Sequence, residues 1–216
     1  MASRPLFIVF EGVDGSGKST QIELLKEHFS KEGEKAYVTN EPTDSPIGSL
    51  IRNVMKGRLD IPPAAVAALF AADRLDHIDN SVNGMRKKRD NGYHIIASRY
   101  YFSNYAFQGE FVDIDWLVQL NRLAKETFPP DIIFYLNVDP KTCYQRIIQG
   151  RDDIELYETE AKIKKVHHAY LKHFKQLGQD ENIVLIDANK RVEAIAAEIW
   201  DKVLIFKNKN ERTGHV

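Results

Sequence analysis

Eight residues near the amino terminus, Gly12-Val13-Asp14-Gly15-Ser16-Gly17-Lys18-Ser19, spell G-x-x-x-x-G-K-S, and the apolar run Leu6-Phe7-Ile8-Val9-Phe10 leads straight into them. Glycines at these offsets let backbone N–H groups turn inward around phosphate oxygens, and a helix beginning at Lys18 points its positive end at the same place. In such a loop the lysine reaches the outer phosphates of a nucleoside triphosphate and the hydroxyl residue holds magnesium. Lys18 and Ser19 take those roles here, with Thr20 following. A glycine-rich turn that merely joins strand to helix is the plainer alternative. It does not explain a lysine and a hydroxyl both at the required offsets.

The loop alone fits kinases, motors, switches and transporters. A guanine-specifying Asn-Lys-x-Asp segment is absent, which argues against a GTPase. Arginines sit beside the expected cleft instead: Arg99 after the third strand, Arg74 on the helix carrying Leu69-Phe70-Ala71-Ala72-Asp73-Arg74, and Arg52 on the helix after Glu41-Pro42. Guanidinium forks match phosphate oxygens in a bidentate way, so several converging on one spot suit a dianionic acceptor. An acceptor phosphate is already ionised near neutral pH and needs charge neutralisation and alignment rather than a strong base. A hydroxyl acceptor would need a carboxylate to take its proton, and Glu41 is then the candidate.

Short β-rich runs at Leu6–Glu11, Ala36–Thr39, His94–Ser98, Ile132–Leu136 and Ile183–Asp187 must position these residues. They alternate with helical patterns at Lys18–Lys31, Ile47–Lys56, Pro63–Asn83, Asp115–Phe128, Pro140–Gln149, Glu160–Leu177 and Arg191–Phe206. The alternation predicts an α/β fold, a five-stranded parallel sheet between two helix layers, with ligands at the carboxyl ends of the strands. No repeat or long linker divides the chain, so one domain over residues 1–216 is expected, with a polar tail, Lys207–Val216, expected to be mobile.

With 216 residues, 43% hydrophobic and 28% charged, the composition is that of an ordinary globular domain, and a net charge of −1 offers no global attraction for nucleic acid. The basic run Arg86-Lys87-Lys88-Arg89 looks like a solvated helix end. Cys143 is the only cysteine, which excludes an internal disulfide; a small buried apolar residue is its default reading. Neither a signal peptide nor a membrane span is evident, so a cytoplasmic protein without membrane or nucleic-acid partners is expected.

Taken together these motifs resemble the thymidylate kinase family over nearly the whole chain. The resemblance rests on the phosphate loop with Asp14, on Glu41-Pro42, on Leu69-Phe70-Ala71-Ala72-Asp73-Arg74, and on Arg99-Tyr100 followed by Asn104 and Phe107-Gln108-Gly109. Pro130-Asp131 leading into the fourth strand and Val138-Asp139-Pro140 add a further match. It implies ATP as phosphoryl donor, Mg2+, dTMP as acceptor and a homodimer built by packing helices. By position, Phe70 is similar to the aromatic that stacks on thymine, and Arg74 would contact the same nucleotide. Arg99 is similar to the arginine on the acceptor phosphate, joined at transfer by Lys18. Asp14 is similar to the loop carboxylate that meets the acceptor sugar or a magnesium-bound water. By the same resemblance Asn104, Phe107 and Gln108 would line the nucleoside pocket. Residues 146–158 fall where the family's mobile lid closes, and Arg151 is its candidate catalytic arginine, since the loop has Gly15 and Ser16 with no arginine. Plainer readings stand beside these: Phe70 as helix core, Arg74 as a surface partner of Asp73 or Asp76, Asn104 as a helix cap, Arg151 as a helix-ending surface residue.

The chain also departs from the family pattern. Ser98 stands where the third strand usually ends in Asp, Asn40 where arginine often precedes Glu-Pro, Phe107 where tyrosine is common, and Ile154 where a lid arginine is frequent. Two other functions remain open at this point: a deoxynucleoside kinase using Glu41 as base toward a 5′-hydroxyl, and a nucleotide-binding module that has lost catalysis.

Overall fold

In a computed structural model, which describes residues 4–150 and 159–213, the central strand β1 (Phe7–Glu11) is buried along its whole length. A continuous apolar strand is what a parallel sheet covered on both faces requires. It lies between β3 (His94–Ser98) and β4 (Ile132–Asn137), flanked in turn by β2 (Ala36–Asn40) and β5 (Ile183–Asp187). The order is β2-β3-β1-β4-β5 with every neighbouring pair parallel. The expected five-stranded parallel α/β sheet is therefore present, and the carboxyl ends of its strands share one edge.

Side chains alternate across β1. Phe10 meets the Phe134 ring, whereas Phe7 packs on Tyr100 and Phe128 and Glu11 faces Tyr170. Helices α1 (Lys18–Lys31) and α9 (Val192–Thr213) pack together. The other group comprises α3 (Pro63–Asp79), α5 (Tyr101–Gln108), α6 (Ile114–Thr127) and α8 (Glu160–Leu177), with α2 (Pro46–Met55) against α3 and α7 (Pro140–Gly150) against α8.

Three elements differ from expectation. The helix expected over Pro63–Asn83 stops at Asp79, and the basic run forms its own short helix, α4 (Met85–Asp90). That run is not simply solvated, because Arg89 donates to Asp131 at 3.0 Å and Arg86 to Asp79 at 2.7 Å. Helix α5 escaped the reading because only Phe107 of its eight residues is not buried; a segment buried all round shows no 3.6-residue alternation to detect. Helix α9 runs through the polar tail as far as Thr213, anchored where the Lys207 ammonium meets Glu34 and lies over the Phe29 ring. Cys143 is fully buried on α7, as expected. No described helix is long and apolar enough to cross a membrane.

Candidate active site

The loop between β1 and α1 brings its own backbone to order. Gly12, Gly15 and Gly17 have φ of 150°, 76° and 94°, conformations that L side chains rarely adopt. Gly15 also admits a close approach: a Cβ there would stand 2.4 Å from the carbonyl oxygen of Cys143, so α7 lies directly against the loop. Lys18 turns back across the loop and donates to the carbonyls of Gly12 and Val13, both at 2.9 Å. Burial, then the positive charge of Arg99, pull its pKa down to about 8. An ammonium so poised gains most when an anion arrives.

Arg99 reaches the same place from β3. It is the one described non-glycine residue with positive φ, 72°, a backbone strain of about 1–3 kcal/mol that the surroundings must hold in place. Its N–H donates to the carbonyl of Phe10 at 2.9 Å, its guanidinium donates to Asp14 at 2.6 Å, and it stacks over the Phe107 ring at 4.8 Å. Burial works against the charge, but Asp14, Tyr170 and Glu11 outweigh it and the pKa is raised, so this arginine stays charged. Lys18, Asp14, Arg99 and Phe107 thus form one constellation at the mouth of the loop. Ser16 is buried beneath it, while Ser19 and Thr20 are exposed on the first turn of α1.

The second constellation is assembled from distant parts of the chain. Arg74, 1% exposed, donates to Glu41 at 2.6 Å and to the Asn121 carbonyl. Glu41 places its other oxygen 3.2 Å from His77, whose second nitrogen is 2.6 Å from the Thr39 hydroxyl. Asn121 then donates to Asn104 at 2.8 Å, and Asn104 to Gln108 at 3.0 Å. Beside Arg74, Asp73 accepts from the Thr43 N–H and from the hydroxyls of Thr43 and Ser45, fastening the segment after Glu41-Pro42 to α3. Arg52 donates to the carbonyls of Pro42 and Thr43 and pairs with Asp44. Phe70 lies half-buried one turn before Arg74.

These contacts exclude two plainer readings. Arg74 is a buried partner of Glu41, not a surface partner of Asp73 or Asp76, and Asn104 lies inside α5 rather than at its cap. Arg151 and Ile154 lie outside the described residues. The sequence motifs do not single out Glu11, Asn121 or Tyr170, and give Arg146 only as the first residue of the expected lid segment. Arg146, on α7, donates to the Gly15 carbonyl at 3.3 Å; an arginine on the helix after Val138-Asp139-Pro140 was the signal that could have singled it out. Asn121 carried no signal, because its role appears only when α6 meets α3 and α5.

Magnesium keeps several waters and takes much of its coordination from substrate phosphates, so it needs few protein donors. The exposed Ser19 hydroxyl and the Asp14 carboxylate in the same loop are hard oxygen donors that fit it. Among the described residues no three His, Cys, Asp or Glu side chains gather into a protein-only metal site.

Comparison with known proteins places this geometry in a family. The family model described as thymidylate kinase matches residues 10–199. A protein of Thermococcus kodakarensis named probable thymidylate kinase is 36% identical over 203 residues, covering 90% of this chain and 95% of the relative. One of the same name from Methanocaldococcus jannaschii is 36% identical over 196 residues, covering 90% and 93%. A third, from Pyrobaculum aerophilum, is 36% identical over 206 residues, covering 93% and 99%.

Proposed function

The chain belongs to the thymidylate kinase family, and from that premise we propose that it transfers the γ-phosphoryl group of Mg·ATP to the phosphate of dTMP, giving dTDP and ADP. The observation that carries this reading is the meeting of Lys18 and Arg99 across Asp14: two cations, one opening α1 and one following β3, held at the mouth of one phosphate loop. A phosphoryl group in flight spreads its charge over its peripheral oxygens, and catalysis is mostly alignment and fixed positive charge. The loop N–H groups from Gly12 to Thr20 take the phosphates of ATP and Lys18 its outer oxygens. Arg99 holds the acceptor phosphate in line with them. Magnesium, held by Ser19 and through water by Asp14, would neutralise charge on the donor phosphates. Arg151 is the lid arginine of this proposal, and Arg146 adds positive charge from the side of α7.

The acceptor's nucleoside lies against the second constellation. Phe70 offers a face to the base, and Arg74, Asn104 and Gln108 bring polar groups whose positions the Glu41 and Asn121 contacts fix in advance. Pro42 and Arg52 shape the outer wall, and Phe107 stands beside the sugar. Preassembly of this kind lowers the ordering cost of binding. A single domain carries both halves. The family relationship also supports a homodimer, which sedimentation equilibrium would test.

Glu41 as a base toward a 5′-hydroxyl would need an oxygen to spare, yet both are committed, to Arg74 and His77, in a residue only 4% exposed. The deciding assay is coupled ADP release with Mg·ATP and dTMP, dUMP, dCMP, dGMP, dAMP or thymidine. Turnover led by dTMP, and lowered about 10²–10³-fold in Arg99→Ala, is expected. Turnover on thymidine alone would move the chemistry to Glu41, and silence across the panel would leave a binding module.

A further inference from the structure

Directly beneath the phosphate loop, Glu11 is a buried carboxylate with no exposure, one residue before Gly12. Burial raises its pKa against several lowering contacts. A carboxylate in such a place is costly unless its oxygens are satisfied. Here they are, from two helices at once. Oε1 accepts the N–H of Tyr100 at 2.9 Å and that of Ser103 at 3.2 Å. Oε2 lies 2.6 Å from the Ser103 hydroxyl and 2.9 Å from the Tyr170 hydroxyl, and those two hydroxyls are 2.7 Å apart. The same two hydroxyls neighbour Arg99 Nη1 at 3.4 and 3.5 Å, beside the Gly12 carbonyl at 3.4 Å.

Arg99's strained backbone is therefore bracketed by β1, through the backbone at Phe10 and the side chain of Glu11. Phe10, whose carbonyl accepts the Arg99 N–H, precedes Glu11, and Tyr100, which follows Arg99, donates to it. Asp14 fixes the far side of the guanidinium. The near side rests on the Gly12 carbonyl and on the Ser103 and Tyr170 oxygens that Glu11 gathers. Glu11 has no exposed surface and so touches no ligand directly. Its contacts all lead to the orientation of Arg99.

We propose that Glu11 is a positioning residue for phosphoryl transfer, acting through Ser103 and the Tyr170 hydroxyl to hold Arg99 in the pose that receives the acceptor phosphate. The inference rests on the reading of Arg99 as the acceptor-phosphate arginine. It assigns to Tyr170, on a helix outside every motif noted in the sequence, a share in acceptor affinity. Loss of the hydroxyl leaves the ring packed against Tyr135 and Phe174 while removing one corner of the oxygen cluster.

The test is Tyr170→Phe, assayed beside the parent and Arg99→Ala, with separate KM values for dTMP and ATP and a thermal melt. A hydrogen-bonding contact to a charged group corresponds to a factor of about ten. The KM for dTMP should rise about tenfold in Tyr170→Phe while the KM for ATP stays within about twofold. A merely structural role would lower the melting temperature and the active fraction, which reads as reduced kcat, without moving one KM alone. An unchanged dTMP KM in Tyr170→Phe, with a raised one in Arg99→Ala, overturns the positioning role and leaves the site reading intact. An unchanged dTMP KM in Arg99→Ala overturns the site reading, and this inference with it.

Discussion

The two halves of the cleft are built in opposite ways. On the donor side, the loop from Gly12 to Ser19 is local: eight consecutive residues, three positive-φ glycines, and a lysine bonded to carbonyls five and six residues away. Its two cations share one carboxylate, with Lys18 3.9 Å from Asp14 and Arg99 taking the shorter contact. On the acceptor side, Arg74 meets Glu41 across 33 positions and Asn121 across 47, and every member of the chain from Thr39 to Gln108 has a partner. One half is poised, its two cations gathered on one carboxylate at the mouth of a phosphate loop. The other is all but finished before any ligand arrives, with the buried Nε of Arg74 left without a hydrogen-bond partner.

The sharpest way to break that contrast is to remove a partner from the finished half. Breaking a buried ion pair by deleting one member costs about 3–5 kcal/mol, because the remaining charge is left uncompensated. Glu41→Ala strands Arg74 in this way, with His77 also losing its contact. Urea denaturation should show a loss of that size. A midpoint within experimental error of the parent would mean that the acceptor wall is not load-sharing but merely well drawn.

In the poised half the same operation should cost rate rather than stability. Lys18→Met removes a charge that the fold holds at some expense, so its denaturation midpoint should stay close to the parent. Removing one fixed transition-state donor lowers kcat by about 10²–10³-fold. Single-turnover kinetics at saturating ATP would measure it. A variant that unfolds readily, or one that keeps most of its turnover, would erase the distinction between the halves.

That distinction also explains what could be recognised from sequence. A local motif carries its geometry in its spacing, so the loop, its helix starting at Lys18 and all five strands were legible to within a residue or so. The acceptor wall was visible only as separate fragments, Glu41-Pro42 and Phe70 to Arg74, whose resemblance to a family named them but could not say that they touch. Asn121 and Tyr170 were invisible because hydrogen bonds over 17 or 159 positions leave no pattern along the chain. Helix α5, which joins the halves by sending Ser103 to Glu11 and Asn104 to Asn121, was missed for the related reason that it is buried on every side.

A smaller effect should appear in the pH dependence of the poised half. Burial and Arg99 bring the Lys18 pKa from the ordinary 10.5 to about 8. The free protein therefore loses that charge as pH rises through 8, and about a tenth of it remains at pH 9. kcat/KM for ATP, which reports the free protein, should fall about tenfold between pH 7 and 9. Bound phosphates favour the charged form, so kcat should hold to higher pH. Stability runs the other way: the unfolded chain binds the extra proton between about pH 8 and 10.5, so this group's contribution to stability rises with pH across that window. An alkaline limb shared equally by kcat and kcat/KM would show that Lys18 is not the group being titrated.

The smallest change lies at the seam between the halves. Ser98 ends β3, its carbonyl accepts the Glu41 N–H at 3.0 Å, and the next residue is the strained Arg99. An aspartate, the residue usual at this place in the pattern the sequence resembles, would set a negative charge next to the Arg99 cation. Serine supplies a hydroxyl without charge, leaving Asp14 as the nearer carboxylate to Arg99. Ser98→Asp should lower the magnesium concentration for half-maximal turnover by about threefold, since each added carboxylate strengthens a hard-cation site. The carboxylate would also compete with Asp14 for Arg99, so a modest rise in the KM for dTMP should accompany the gain. A shift in magnesium requirement without any change at the acceptor would mean that the seam transmits nothing between the halves. No shift in either would mean that the loop and its phosphates already satisfy the metal, and that the aspartate is dispensable in this chain.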